Sequence, residues 1–173
     1  EIYPAQQYRS DVAPSENIIG VYDGKIKLPE YSDMTENDYR RIVYHEYMHA
    51  IVFDLSGGRA PTWLHEALAT NADPGFTADD GYLAYLYQNG KLVAPRDLDP
   101  YFLDMGNHDH LMTAYNEANA LIRYFLSRYN YWHMKNILTD LKRGMNIDEA
   151  FKKEVAVDIG GLFEQWQEAV FKR

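Results

Sequence analysis

The sequence contains no cysteine, which rules out disulfide bonds and any thiolate metal site. It has no run near the ~20 apolar residues that a membrane-spanning helix needs, and no signal-peptide pattern is visible. Basic residues are in short supply: 17 Lys and Arg against 26 Asp and Glu give a formal net charge of −9. That balance argues against nucleic acid and against an anionic membrane surface as partners. No internal repeat and no low-complexity segment is found. The chain opens Glu1-Ile2-Tyr3-Pro4 with no initiator Met, so a mature or excised piece of a longer chain is expected.

Apolar residues make up 46% of 173, enough to bury a substantial core in one domain and too few residues for two comfortable ones. A single domain over 1–173 is the expectation. Its N-terminal part reads as strand. Glu1-Ile2-Tyr3 ends at Pro4, a short helix can follow over 5–9, and Asn17 to Tyr22, Asp23-Gly24 and Lys25 to Pro29 form a β-hairpin pattern with Asp-Gly as its turn. Pro29 is expected to end the second strand.

Helices dominate the remainder. Thr35-Glu36-Asn37-Asp38 resembles a capping box, and Gly57-Gly58 supplies a stop. Between them Tyr39, Ile42, Val43, Ala50 and Phe53 recur at helical spacing, with Tyr44, Met48, Ile51 and Leu55 opposite. So apolar a circumference predicts a helix buried on several sides. Shorter helices follow from Trp63 to about Asn71 with Thr62 as cap, and through Leu83 and Leu86 after Thr77-Ala78-Asp79-Asp80. Lys91 to Asp109 has no sustained period and reads as a loop. Leu111, Tyr115, Ala118, Ile122, Phe125 and Tyr129 then trace an amphipathic helix. Further helices are marked by Met134 to Leu141, by Asn146, and by Leu162, Phe163, Trp166 and Val170. The fold class is α+β and mainly helical: a small N-terminal sheet or hairpin, then helices.

Within the first long helix lies Tyr44-His45-Glu46-Tyr47-Met48-His49-Ala50, an H-E-x-x-H pattern. Two histidines four residues apart sit one turn above each other and can converge on one Zn²⁺. Glu46 flanks that face, where it can reach a water on the metal. Ile42 and Phe53 share the face, one turn before and after, so the cleft is expected to be partly dry. The competing reading is a buried, hydrogen-bonded polar cluster, but three ionisable groups facing an apolar cleft without a metal would be costly. A catalytic zinc usually takes a third protein ligand. The next candidate is Glu66, seventeen residues after His49 in Pro61-Thr62-Trp63-Leu64-His65-Glu66-Ala67-Leu68-Ala69, which a turn at Gly57-Gly58 can bring back against the pair. One residue rotates a helix by about 100°, so His65 and Glu66 cannot both face the metal, and His65 is expected at the surface or behind the ligands.

H-E-x-x-H followed by a W-L-x-E-x-L-A helix resembles the gluzincins, and within them the small bacterial peptidase MA-like domains. Gly20 to Pro29 is similar to the family's hairpin, and Ala114 to Leu126 to the helix after its metal site. Gly144 to Phe151, with Trp166, is similar to its C-terminal segment. Metzincins would need a histidine where Leu55 stands. The resemblance implies a zincin-like fold with one Zn²⁺ held by His45, His49 and Glu66. It also implies Glu46 as general base, a peptide or protein substrate, and a bacterial, exported setting. Gluzincins often place a tyrosine on the helix after the third ligand, which makes Tyr115 the candidate oxyanion donor, with His108 and His110 as rivals. Two positions depart from the pattern. Ala67 follows Glu66 where Gly is common, and Thr70 stands where some members have an acidic residue bracing a histidine.

The function expected from these features is peptide-bond hydrolysis by a zinc-dependent peptidase, with Gly20 to Tyr22 as an edge strand for the substrate. The alternative is a catalytically silent zinc-binding module that recognises peptides or regulates a partner. A purely structural zinc domain is disfavoured, because such sites normally have four ligands including cysteines.

Overall fold

The computed structural model describes residues 1–13, 20–30 and 34–172. A short strand β1 (Ile2–Pro4) leads directly into helix α1 (Ala5–Asp11). Strands β2 (Val21–Tyr22) and β3 (Ile26–Glu30) form the hairpin. The sheet order is β1-β3-β2, with β1 parallel and β2 antiparallel to β3. The expected start of the hairpin at Asn17 to Ile19 lies outside the described residues. The turn is one residue longer than the Asp-Gly pair predicts: Tyr22 pairs with Ile26, leaving Asp23, Gly24 and Lys25 in the loop, with Gly24 at φ +99°. Pro29 does not end β3, which runs on to Glu30 with Pro29 opposite Tyr3. Among the described residues β3 is paired there with β1 only, β2 reaching no further than Lys27, so a missing N–H is tolerated.

The helices are α2 (Glu36–Ser56), α3 (Thr62–Ala72), α4 (Asp80–Gln88), α5 (Asp99–Leu103), α6 (His108–Arg128), α7 (Tyr131–Lys142), α8 (Ile147–Val155) and α9 (Ile159–Phe171). This is a mainly helical α+β, zincin-like fold. Thr35 and Asp38 form the reciprocal capping box at the start of α2, and Gly57 ends it in the left-handed conformation at φ +60°. Helix α3 packs between α2 and α6 and is the most buried element. Trp63, Leu64, Ala67 and Leu68 meet a core that includes Ala114, Ala118, Leu121, Ile122 and Phe125 from α6. The wholly buried alanines allow the two helices to approach closely, and Ala67 is among them.

Three expectations need correction. Helix α2 is not buried on several sides: Val43, Tyr44, Tyr47 and Phe53 are 40–57% exposed, and only Ile42, Glu46, Val52 and Ser56 are buried. One side of the helix lines an open cleft and another faces water, where tyrosine is tolerated because its hydroxyl stays wet. Thr62 does not cap α3; Pro61 holds that position, and the free amides of Thr62 and Trp63 donate instead to the Asp99 carboxylate, at 3.2 and 2.7 Å. The stretch from Lys91 to Asp109 is not a plain loop: it holds a 3₁₀ turn (Pro95–Asp97), α5 and the start of α6. Its order comes from distant polar partners rather than from periodicity. Besides the Asp99 cap, the Val93 amide donates to both oxygens of Glu117, at 3.1 and 3.0 Å.

Glu117 is buried on α6, and burial pushes its pKa up to about 8, partly opposed by the Val93 amide. The folded state therefore holds this proton more tightly than the unfolded chain. The stability it contributes is fully present below about pH 4.5, declines as pH rises, and is lost once pH passes about 8. Glu117→Gln cannot ionise, so urea midpoints should favour the variant over wild type increasingly from pH 5 to pH 8.5, by at most about 1.4 kcal/mol per pH unit. A constant difference across that range would contradict this account.

Candidate metal centre and cleft

Helical periodicity stacks His45 and His49 on the inner face of α2, with ring centroids 4.9 Å apart and planes near perpendicular. The turn at Gly57-Gly58 sends the chain back as α3, which presents Glu66 to both rings. His45 Nε2 lies 3.5 Å from Glu66 Oε2, and His49 Nε2 lies 3.6 Å from Glu66 Oε1. One donor atom from each of the three residues falls within 4.8 Å of the others. Tetrahedral ligands at 2.0–2.1 Å from a common zinc would stand about 3.4 Å apart, so the spacing fits a small divalent ion. Glu66 Oε2 is buried without a hydrogen-bond partner of ordinary geometry, which is how an oxygen awaiting a cation would look.

The charges in the site are strongly coupled. Burial raises the Glu66 pKa, but His45 and His49 outweigh it, and the carboxyl ends below its usual range. For His45 burial acts downward and is overcome by Glu66, then Glu46 and Asp73, so the net shift is upward. Burial takes His49 down to about 4, which keeps a lone pair free for a metal. Glu46 is also buried, and desolvation lifts its pKa to about 7 despite the pull of His45. Tyr115 projects from α6 toward Glu66. Burial and then the negative charge of Glu66 hold its phenol above the ordinary range, so it stays a hydrogen-bond donor.

These groups line one cleft of about 670 Å³, together with Gly20, Val21 and Tyr22 at one rim and Phe53, Phe76 and Met105 among its apolar walls. His65 is not a member of the ligand group, as its helical phase requires, yet it also lines the cleft, with its ring 5.8 Å from that of His49. His108 and His110 do not line it. His108 is exposed at the start of α6, and His110 bonds Asp104 at 2.8 Å with its ring against Tyr101. Thr70, where an acidic residue could have braced a histidine, spends its hydroxyl inside α3 on the Glu66 and Ala67 carbonyls, at 2.8 and 3.1 Å.

A sequence model described as the Peptidase MA superfamily matches residues 30–172. The chain belongs to the peptidase MA superfamily. No curated protein matches it, and no solved structure does. The matched stretch covers α2 to α9 and with them His45, His49 and Glu66 of this peptidase MA domain, while β1, α1, β2 and all of β3 but Glu30 precede it.

Some cleft residues carried no sequence signal. Asp73, Phe76 and Met105 sit in irregular segments and reach the cleft only through tertiary packing. Gly20, expected within the strand, lies just before β2, and its contact with Glu46 was not legible. A side chain at Gly20 would bring its Cβ to 2.6 Å from Glu46 Oε1 and 2.7 Å from Ile42 Cγ2. Gly20→Ala should therefore destabilise the fold by about 1–3 kcal/mol through overpacking, read from urea or thermal unfolding. An unchanged midpoint would show that the strand and Glu46 are not in contact.

Proposed function

We propose that this peptidase MA domain is a zinc-dependent peptidase of gluzincin type. The observation that carries the proposal is the convergence of His45, His49 and Glu66 beside a buried, raised-pKa Glu46 in one cleft. Two imidazoles, one carboxylate and no cysteine favour zinc with an open coordination position, the donor set of a catalytic rather than a structural site. Zinc bound there supplies Lewis acidity that polarises the scissile carbonyl and makes a water easier to deprotonate.

The chain's own residues supply the rest. Glu46, with a pKa near 7, takes a proton from the attacking water as the oxygen–carbon bond forms. It then returns that proton to the leaving nitrogen as the carbon–nitrogen bond breaks. Tyr115, kept protonated, donates to the carbonyl oxygen as negative charge develops on it. One side of β2 is taken by β3, and among the described residues β2 lies at the end of the sheet order, so its other edge can pair with an extended peptide.

Glu46→Gln should lower kcat by about 10²–10⁴-fold while zinc content, measured by elemental analysis, stays at one per chain. Tyr115→Phe should lower kcat by roughly 10²-fold with little change in KM, measured on the same peptide. Hydrolysis that survives Glu46→Gln would sink the mechanism. Zinc-loaded wild type that binds peptides from a broad library without cutting them would select the silent-module reading.

A further inference from the structure

The two ligand-bearing helices are joined at one end only. The chain turns from α2 into α3 through 57–61, which puts His49 near the closed end of this helical hairpin and His45 toward the open end. A pair of helices free to splay about that turn would displace His45 more than His49. An increase of about 1 Å in the His45–Glu66 separation would already take the two donors beyond the reach of one zinc at 2.0–2.1 Å.

At the open end, Arg41 and Asp73 join the two helices. Arg41 lies one turn before His45 on the same side of α2. Asp73 is the residue at the C-terminal end of α3, seven positions and two turns past Glu66. The guanidinium grips the carboxylate with two prongs, Nε to Oδ1 at 2.9 Å and Nη2 to Oδ2 at 3.2 Å. The Gly75 amide donates to the same Oδ1 at 2.8 Å, and the guanidinium lies so close on Gly75 that no Cβ could stand there. The Asp73 side chain is only 13% exposed, and it lines the same cleft as His45. Thr70, one turn nearer the metal ligands, gives its hydroxyl proton to its own helix and accepts from Asn119, leaving the bracing position to another residue.

We infer that Arg41 and Asp73 are positioning residues of the metal centre: their ion pair closes the open end of the α2–α3 hairpin and sets the distance between His45 and Glu66. This rests on the ligand assignment made above. A partly exposed ion pair adds little to global stability, so its contribution is the register of the two helices rather than their cohesion.

The test is a cobalt(II) titration of wild type, Asp73→Asn, Arg41→Ala, Arg41→Lys, the Arg41→Ala/Asp73→Asn double variant and His45→Ala. It follows the visible absorption of bound cobalt, with zinc affinity from competition with a chelator and melting of the metal-free proteins in parallel. Asp73→Asn and Arg41→Ala should each weaken metal binding about 10–100-fold and alter the cobalt spectrum. Arg41→Lys keeps the charge but not the two-pronged grip, so it should fall between wild type and Arg41→Ala. The double variant should be no worse than either single change. Variants that melt earlier yet bind cobalt with wild-type affinity and spectrum would overturn the inference, because the pair would then serve stability alone. Where wild type binds and His45→Ala does not, an unaffected Asp73→Asn overturns the inference while the ligand assignment stands. Wild type that takes up no cobalt overturns both. Should Asp73→Asn fail to fold, Arg41→Lys decides: intermediate affinity supports the brace and unchanged affinity overturns it.

Discussion

The Glu66 carboxylate is the constraint on which the rest of the site depends. A negative charge withdrawn from water must be compensated, and here the compensating groups are two imidazoles on the neighbouring helix. The two rings are poor partners for one another at short range, since His45 lowers the tendency of His49 to carry a proton. Three groups so arranged could hold one cation between them. Their convergence ties α2 to α3 more specifically than apolar packing could, because a hydrophobic contact tolerates a shift that three converging polar groups do not.

The surrounding structure holds α3 in place from several directions. Its N-terminal amides are taken by Asp99 from the far side of the chain, and its side chains are embedded between α2 and α6. Asn119 on α6 reaches back to the Thr70 hydroxyl at 3.2 Å, and the Asn71 side chain donates to the Asn119 carbonyl at 3.1 Å. Helix α3 is thus fixed by polar bonds at its start and in its last turn. A helix of eleven residues is marginal by itself, so its order comes from tertiary contacts.

The helical plan and the placement of His45 and His49 on one helix face were legible because each rests on local spacing, whereas Glu66, seventeen residues further on, could be offered only as a candidate. Periodicity marks α2, α6 and α7, while capping chemistry marks the starts of α2 and α8. The rotation between adjacent helical positions also showed in advance that His65 and Glu66 could not face the two α2 histidines alike, although both line the cleft. What could not be read depends on partners far along the chain. The cap of α3 comes from Asp99, 36 and 37 residues away, and the order of the segment after α4 relies on Glu117. The outward-facing tyrosines of α2 misled for a different reason. Composition registers an apolar residue wherever it points, whereas burial depends on whether another element arrives to cover it.

Gly20 gives the hairpin an unusual responsibility. Its backbone occupies space beside Glu46 that no side chain can share, and β2 continues from it along the rim of the cleft. In a strand, a slip of one residue reverses every side chain, and here it would drive Val21 into the carboxylate. The length of the turn at Asp23-Gly24-Lys25 therefore works like the setting of a gauge: it fixes how deeply the strand edge sits relative to the acid beneath it. A loop that would ordinarily tolerate insertion is in this molecule tied to the geometry of the cleft floor.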